Sequence, residues 1–185
     1  MRVLLVGATG FIGGHIRGQL LARGVEVLAT TRRPAGPAAG SLHWARLDLR
    51  DAVTPQAWTP LLEGVDAVIN AAGVLQDGLS DSTGVVHADA PRALFEACGR
   101  AGVRRVIQIS AIGVDRQGLT AFSSSKLRGD QALAERDLDW VILRPRSCSA
   151  VPSMGEVRCF ARWRRCPWCS GHRRRGSSRW SSSTT

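Results

Sequence analysis

The chain contains no tyrosine and a single lysine, Lys126, against 24 arginines. With no phenol present, no side chain of that kind can pass a proton. No stretch approaches the roughly 18 consecutive apolar residues that a membrane-spanning helix needs. Five cysteines, an odd number with three in the last 35 residues, make no disulfide framework and fit a reducing compartment. His15, His43 and His87 stand alone without ligand spacing, so no metal is expected. The apolar start at residues 3–6 imitates a secretion signal, but Gly7, Gly10, Gly13 and Gly14 interrupt it and His15 and Arg17 close it. Mature structure from the N-terminus and a cytoplasmic location are therefore expected.

What is present suits one folded domain. The chain has 185 residues, 44% of them hydrophobic, and a formal net charge of +10. A chain of this length can bury roughly 70% of its unfolded surface. The charge is unevenly placed. Residues 151–185 hold eight arginines against Glu156 alone, a net of +7, which leaves +3 for residues 1–150. A nucleic-acid partner is thus disfavoured for the body of the chain.

Residues 151–185 also carry three of the six tryptophans and seven serines, with no apolar period that would make a helix face or a strand. The arginine-to-lysine ratio points to GC-rich coding, and such codons read out of frame give Arg, Ser, Cys, Trp and Thr. Val-Asp-Asp shifted by one nucleotide becomes Ser-Thr-Thr, the residues at 183–185. The tail is expected to be disordered, the end of a frameshifted or truncated product. Two functional readings compete with that one. Cys166-Pro-Trp-Cys169 with His172 is a redox or zinc pattern lacking a second ligand pair. The arginine and tryptophan mixture could also grip phosphates and stack on bases.

In residues 1–150, short apolar runs at 3–6, 25–29, 66–70, 106–110 and 140–143 read as strands buried on both faces. Helix spacing lies between them. Ile12, Ile16 and Leu20 recur at i+4 with Leu21 beside them, and Leu94, Phe95 and Cys98 make a second face ended by Gly99 and Gly102. Strands alternating with helices imply βαβ crossovers. The expected fold class is α/β, a doubly wound parallel sheet of the Rossmann kind, with the substrate domain missing or replaced by the irregular tail.

Directly after the first strand comes Gly7-Ala8-Thr9-Gly10-Phe11-Ile12-Gly13, opening the first helix. Glycines let the backbone turn tightly and approach a pyrophosphate, and the helix N-terminus offers unpaired N–H groups and a positive dipole. Glycine-rich turns also arise for steric reasons alone, but this strand-loop-helix context favours a dinucleotide.

This spacing is where a family resemblance enters. With Leu47-Asp48-Leu49, Asn70-Ala71-Ala72-Gly73, Ser110-Ala111-Ile112-Gly113, Phe122-Ser123-Ser124-Ser125-Lys126 and Leu143-Arg144-Pro145, the loop resembles the short-chain dehydrogenase/reductase superfamily. The match is to its extended and atypical members, the NAD-dependent epimerase/dehydratase-like proteins. The branch is the one related to the accessory nucleotide-binding subunit of respiratory complex I and to NmrA-like proteins. The resemblance covers residues 1–150 and implies an NAD(P)-binding domain over that span, with oxidoreductase or epimerase-like activity. It implies that Gly7, Thr9, Gly10, Phe11, Ile12 and Gly13 hold the pyrophosphate. Asp48 and Leu49 border the adenine, and Ala71, Ala72 and Gly73 line the nucleotide. Asp48 could instead cap a turn with Asp51.

A strand-two acid accepts from the ribose of NAD, yet Thr30, Thr31, Arg32 and Arg33 stand there. A guanidinium fork suits the 2′-phosphate of NADP, so NADP(H) is favoured over NAD(H), unless Arg32 and Arg33 are only solvated charges before the segment 34–40. The superfamily's Tyr-x-x-x-Lys pair becomes Phe122 and Lys126, and a benzyl ring cannot donate a proton. Lys126 keeps a ribose-binding role, or is a surface partner for Asp130 at i+4. Ser110 is the candidate hydroxyl partner, or merely caps a strand end. The candidate catalytic residues are therefore Ser110 and Lys126, with impaired or no turnover. The alternative is a non-catalytic nucleotide-binding sensor or assembly factor. Cys98 reads as packing.

Overall fold

The computed structural model describes residues 1–33, 38–78, 82–116, 120–151 and 156–165, and beyond residue 145 only by backbone pairing. The Cys166–Cys169 and His172 pattern and residues 183–185 lie outside the described residues, as do positions 34–37. Strands β1 (Arg2–Val6), β2 (Glu26–Thr31), β3 (Leu42–Arg46), β4 (Ala67–Asn70), β5 (Arg105–Ile109), β6 (Asp139–Val151) and β7 (Glu156–Arg165) form one sheet. Its order is β3-β2-β1-β4-β5-β6-β7. The first six run parallel and β7 pairs antiparallel with β6. The order 3-2-1-4-5-6 is that of the doubly wound dinucleotide-binding sheets.

The apolar runs form central strands because each side of the sheet has its own cover. Leu4 and Val6 of β1 enter a cluster with Trp58, Phe95, Cys98 and Leu133, contributed by α2 (Pro55–Trp58), α3 (Ala90–Ala101) and α4 (Ala121–Ala134). Val3 and Leu5 enter a second cluster with Val27, Ala29 and Ile69, covered by Ile16, Leu20 and Leu21 of α1 (Phe11–Ala22). Successive residues point to opposite faces, so an all-apolar run is what a sheet covered on both sides needs. The indole of Trp58 is fully buried and donates to the Ala52 carbonyl at 2.8 Å, which removes the cost of a buried N–H. Gly102 ends α3, whereas Gly99 lies inside it. Cys98 is core, as its place on the helix face suggests.

Two strands were not legible. β3 is half-buried along most of its length and lies at the edge of the sheet, so Leu-His-Trp-Ala-Arg shows little apolar signal. β7 corrects the expectation that residues 151–185 contain no strand. An antiparallel edge strand needs only backbone groups facing the open edge of β6, and its side chains need follow no pattern. Among the described residues no helix is long and apolar enough to cross a membrane.

Candidate active site

The chain turns at the C-terminal ends of β1, β2, β3 and β4 around a cleft of about 340 Å³. It sits where β1 separates the two halves of the sheet, the switch point at which open α/β sheets bind ligands. Gly7, Thr9, Gly10, Arg32, Arg33, Asp48, Leu49, Ala71, Ala72 and Gly73 all line it. Phe11, Ile12 and Gly13 stand behind the loop in the first turn of α1, with Phe11 52% exposed.

Backbone contact explains the glycines. Gly7 has φ 79°, and a Cβ there would lie 2.6 Å from the Ala72 nitrogen, so the loop after β1 is pressed onto the chain after β4. A Cβ on Gly13 would overlap the Gly7 carbonyl oxygen. Helix α1 therefore packs directly on the loop it follows. Its N-cap, Gly10, makes no side-chain cap and its first turn has no acid. The amides at that end are left for an anion, and the dipole favours one there.

The rim at β2 is basic. Arg32 and Arg33 follow the buried Thr30 and Thr31, and the Arg33 amide donates to the Thr31 hydroxyl at 3.2 Å. Across the cleft, Asp48 accepts from Nε of Arg50 at 3.1 Å and from its Nη2 at 2.6 Å. That guanidinium holds the Asp48 carboxyl below its usual range. Asp48 also accepts the Arg50 amide at 3.0 Å, which makes the turn considered in the sequence, but its side-chain partner is Arg50 rather than Asp51.

Beneath the cleft lies a buried polar layer. Lys126 is 5% exposed, and its Nζ donates to the carbonyls of Ala72 at 3.1 Å and Ile109 at 3.2 Å, immediately behind Gly73. Burial brings its pKa down to about 8, with Asp130 pulling the other way. The alternative of a surface pair with Asp130 is corrected here, since both residues are buried. Asp130 instead takes Arg144, from Nη2 at 2.9 Å and Nε at 3.2 Å, and the Ser110 hydroxyl at 2.8 Å. Arg144 reaches Asp115 with Nη1 at 2.8 Å. The Ser110 proton is thus directed into an ion cluster, and Ser110 does not line the cleft.

Sequence reasoning passed over several members of this layer. Asn70 donates to Gln108 at 2.8 Å across paired strands, and its Oδ1 accepts the Ala72 amide. These polar residues near the ends of β4 and β5 interrupt apolar runs, which is a usable signal. His87, 1% exposed, accepts the Val74 amide at 3.0 Å, and no sequence feature marks that contact because its partner is backbone.

A parallel sheet of this order, with an uncapped glycine loop at its switch point, defines a dinucleotide-binding α/β protein. The family model described as NAD(P)H-binding matches residues 7–159, and the chain belongs to that family. A ceramide reductase of Caulobacter vibrioides is 30% identical over 148 residues, covering 77% of this chain and 45% of that protein. Sterol demethylase protein B of Methylococcus capsulatus is 36% identical over 126 residues, 64% of this chain and 38% of its own length. The chain thus spans less than half of these curated relatives. Among solved structures, a putative NAD-dependent epimerase/dehydratase from Bacillus halodurans superposes with TM-score 0.71 at 26% identity, covering 84% of this chain and 75% of that one. The resemblance to atypical short-chain dehydrogenase/reductases stands on this fold.

Proposed function

We propose that the chain binds NADP(H) in preference to NAD(H) and is the nucleotide-binding part of a carbonyl oxidoreductase, with little or no turnover of its own. The observation carrying this reading is the basic rim: Arg32 and Arg33 stand at the end of β2 beside the cleft, and Asp48, the nearby carboxylate, is bound chiefly by Arg50 with Arg32 as a further positive charge acting on it. The cleft fits a dinucleotide by its own geometry, since Gly7 and Gly10 line it and the N-terminus of α1 has no competing side chain. Gly7, Thr9, Gly10 and the amides of Phe11, Ile12 and Gly13 would hold the pyrophosphate, Arg32 and Arg33 the 2′-phosphate, Asp48 and Leu49 the adenine, and Ala71, Ala72 and Gly73 the nucleotide wall. When bound, the reduced nicotinamide supplies hydride equivalents. The Lys126 ammonium, set behind Gly73, would orient the ribose, the role left to it with Phe122 one helical turn before it. Ser110 holds Asp130 rather than substrate.

The rival reading, a non-catalytic sensor or assembly factor, is favoured by Phe122. Its ring stands edge-on to His87 at 5.2 Å, on the helix turn before Lys126, and brings no exchangeable proton. Titration with NADPH and NADH, followed by nicotinamide fluorescence and melting temperature, tests the binding half. Preference for NADPH is expected, and equal or weaker NADPH binding refutes the role of the arginines. Carbonyl screening at the reduced-nicotinamide absorbance band tests the other half. Sustained oxidation of NADPH would refute impaired turnover.

A further inference from the structure

His87 lies in a π-helical turn, Val85–Asp89, that leads into α3 and is wedged between the chain after β4 and helix α4. Such turns cost regular helix geometry and concentrate at functional sites. Here the turn places an imidazole where two other elements meet. Gly129 of α4 packs on the His87 carbonyl so closely that a Cβ at 129 would overlap the oxygen, which fixes the backbone of the turn against α4.

The hydrogen-bond directions around the ring follow from chemistry. The Val74 amide can only donate, so Nε2 of His87, 3.0 Å away, must be unprotonated. The single proton of neutral imidazole is then on Nδ1, 2.9 Å from the Ser125 hydroxyl. Ser125 in turn donates its proton to the Phe122 carbonyl at 2.9 Å. The chain of donors therefore runs one way, from the Val74 amide through His87 and Ser125 to the backbone of α4. Both ends matter to the cleft. Gly73 and Val74 line it, and Ser125 immediately precedes Lys126, whose Nζ would lie 3.1 Å from a Cβ on Gly73.

We propose that His87 is a positioning residue for the nucleotide: as the Nδ1–H tautomer it splints the Gly73–Val74 wall to the helix that carries Lys126, setting the spacing between them. The inference rests on the NADP(H) reading of the cleft. A protonated ring would turn an N–H toward the Val74 amide and break the splint. The charged groups facing the ring are Lys126 from α4 and Asp77 from the loop after β4, with Arg128 beside Gly84 in the same region. Burial and Lys126 together outweigh Asp77 and keep the ring neutral, with its pKa brought down to about 3.

The test uses the whole chain. In His87→Phe a ring fills the site but leaves the half-buried Val74 amide without its side-chain acceptor, and the dissociation constant for NADPH should rise roughly tenfold. In His87→Gln the amide oxygen can take over from Nε2, and affinity should stay within about threefold of the parent. Nitrogen-15 spectra of the parent's imidazole should show the Nδ1–H tautomer from pH 8 to pH 5, without titration near 6.5. Parental affinity in His87→Phe, an Nε2–H tautomer, or titration near 6.5 would each overturn the proposal. If His87→Phe does not fold, the tautomer and the glutamine variant decide. If the parent binds neither NADPH nor NADH, the cofactor reading fails, and the tautomer still reports independently on the splint.

Discussion

Two glycines of α1 should respond to the same substitution with opposite sign. At Gly18 a new Cβ meets nothing within 4 Å, so Gly18→Ala gains helix propensity, about 0.8–1.0 kcal/mol. At Gly13 the same propensity gain is opposed by overlap with the Gly7 carbonyl oxygen and by a carbon at 2.8 Å. Overpacking costs about 1–3 kcal/mol, and the upper end applies because the atoms met are all backbone. The loop cannot retreat, since the Gly7 oxygen accepts from the Gly10 amide at 3.1 Å and Gly7 lies against Ala71 and Ala72. The net expectation is about 2 kcal/mol of destabilisation for Gly13→Ala and about 1 kcal/mol of stabilisation for Gly18→Ala. In a chain of this size that corresponds to roughly 4–8 °C down and 2–4 °C up in melting temperature. Thermal melts with and without NADPH read both, and only Gly13→Ala should also weaken the nucleotide, by moving the loop from the helix N-terminus. A Gly13→Ala protein melting at or above the parent temperature would refute the close packing of α1 on the loop.

Replacing both Arg32 and Arg33 by Ala should weaken NADPH by roughly 10- to 150-fold while leaving NADH within a few-fold, as competition titrations would show, because bonds to a charged phosphate contribute about 1.5–3 kcal/mol. Lys126 titrates at about 8 when folded against 10.5 unfolded, so between these values the unfolded chain holds more protons and stability rises with pH. The gain is about 3 kcal/mol across that window. Urea midpoints of the parent and of Lys126→Met at pH 7.5, 9 and 10.5 should diverge in the parent's favour as pH rises, the comparison cancelling the opposing contribution of the buried Cys98 thiol, which burial pushes up to about 12. Arg144→Met leaves Asp130 buried without its main cation and should cost about 3–5 kcal/mol in urea unfolding, whereas an exposed pair such as Arg104 with Asp137 should cost less than about 1 kcal/mol.

The parallel order of the sheet, the glycine loop and the basic end of β2 were legible because each depends on local pattern. Apolar runs buried on both faces, a glycine wherever backbone touches backbone, and arginine in place of an acid are all written in single residues or short spacings. Lys126 was legible as a position but not as an environment. Whether it faced water or the sheet depended on how α4 packs over β4 and β5, and packing left it two carbonyls and 5% exposure. Ser110 is by sequence either a hydroxyl for chemistry or a strand-end cap, and only the fold sets its Oγ 2.8 Å from Asp130, 20 residues further along the chain.

By itself, then, the sequence determined the doubly wound class, the NAD(P)-binding loop and the absence of any phenol, because hydrophobic period, glycine and side-chain identity act over a few neighbouring residues. Tertiary structure alone decided the buried layer of His87, Asn70, Gln108, Asp130 and Arg144, and the edge strands β3 and β7. Their partners are distant in the chain or are backbone groups without side-chain identity, and desolvation exists only once the elements have packed.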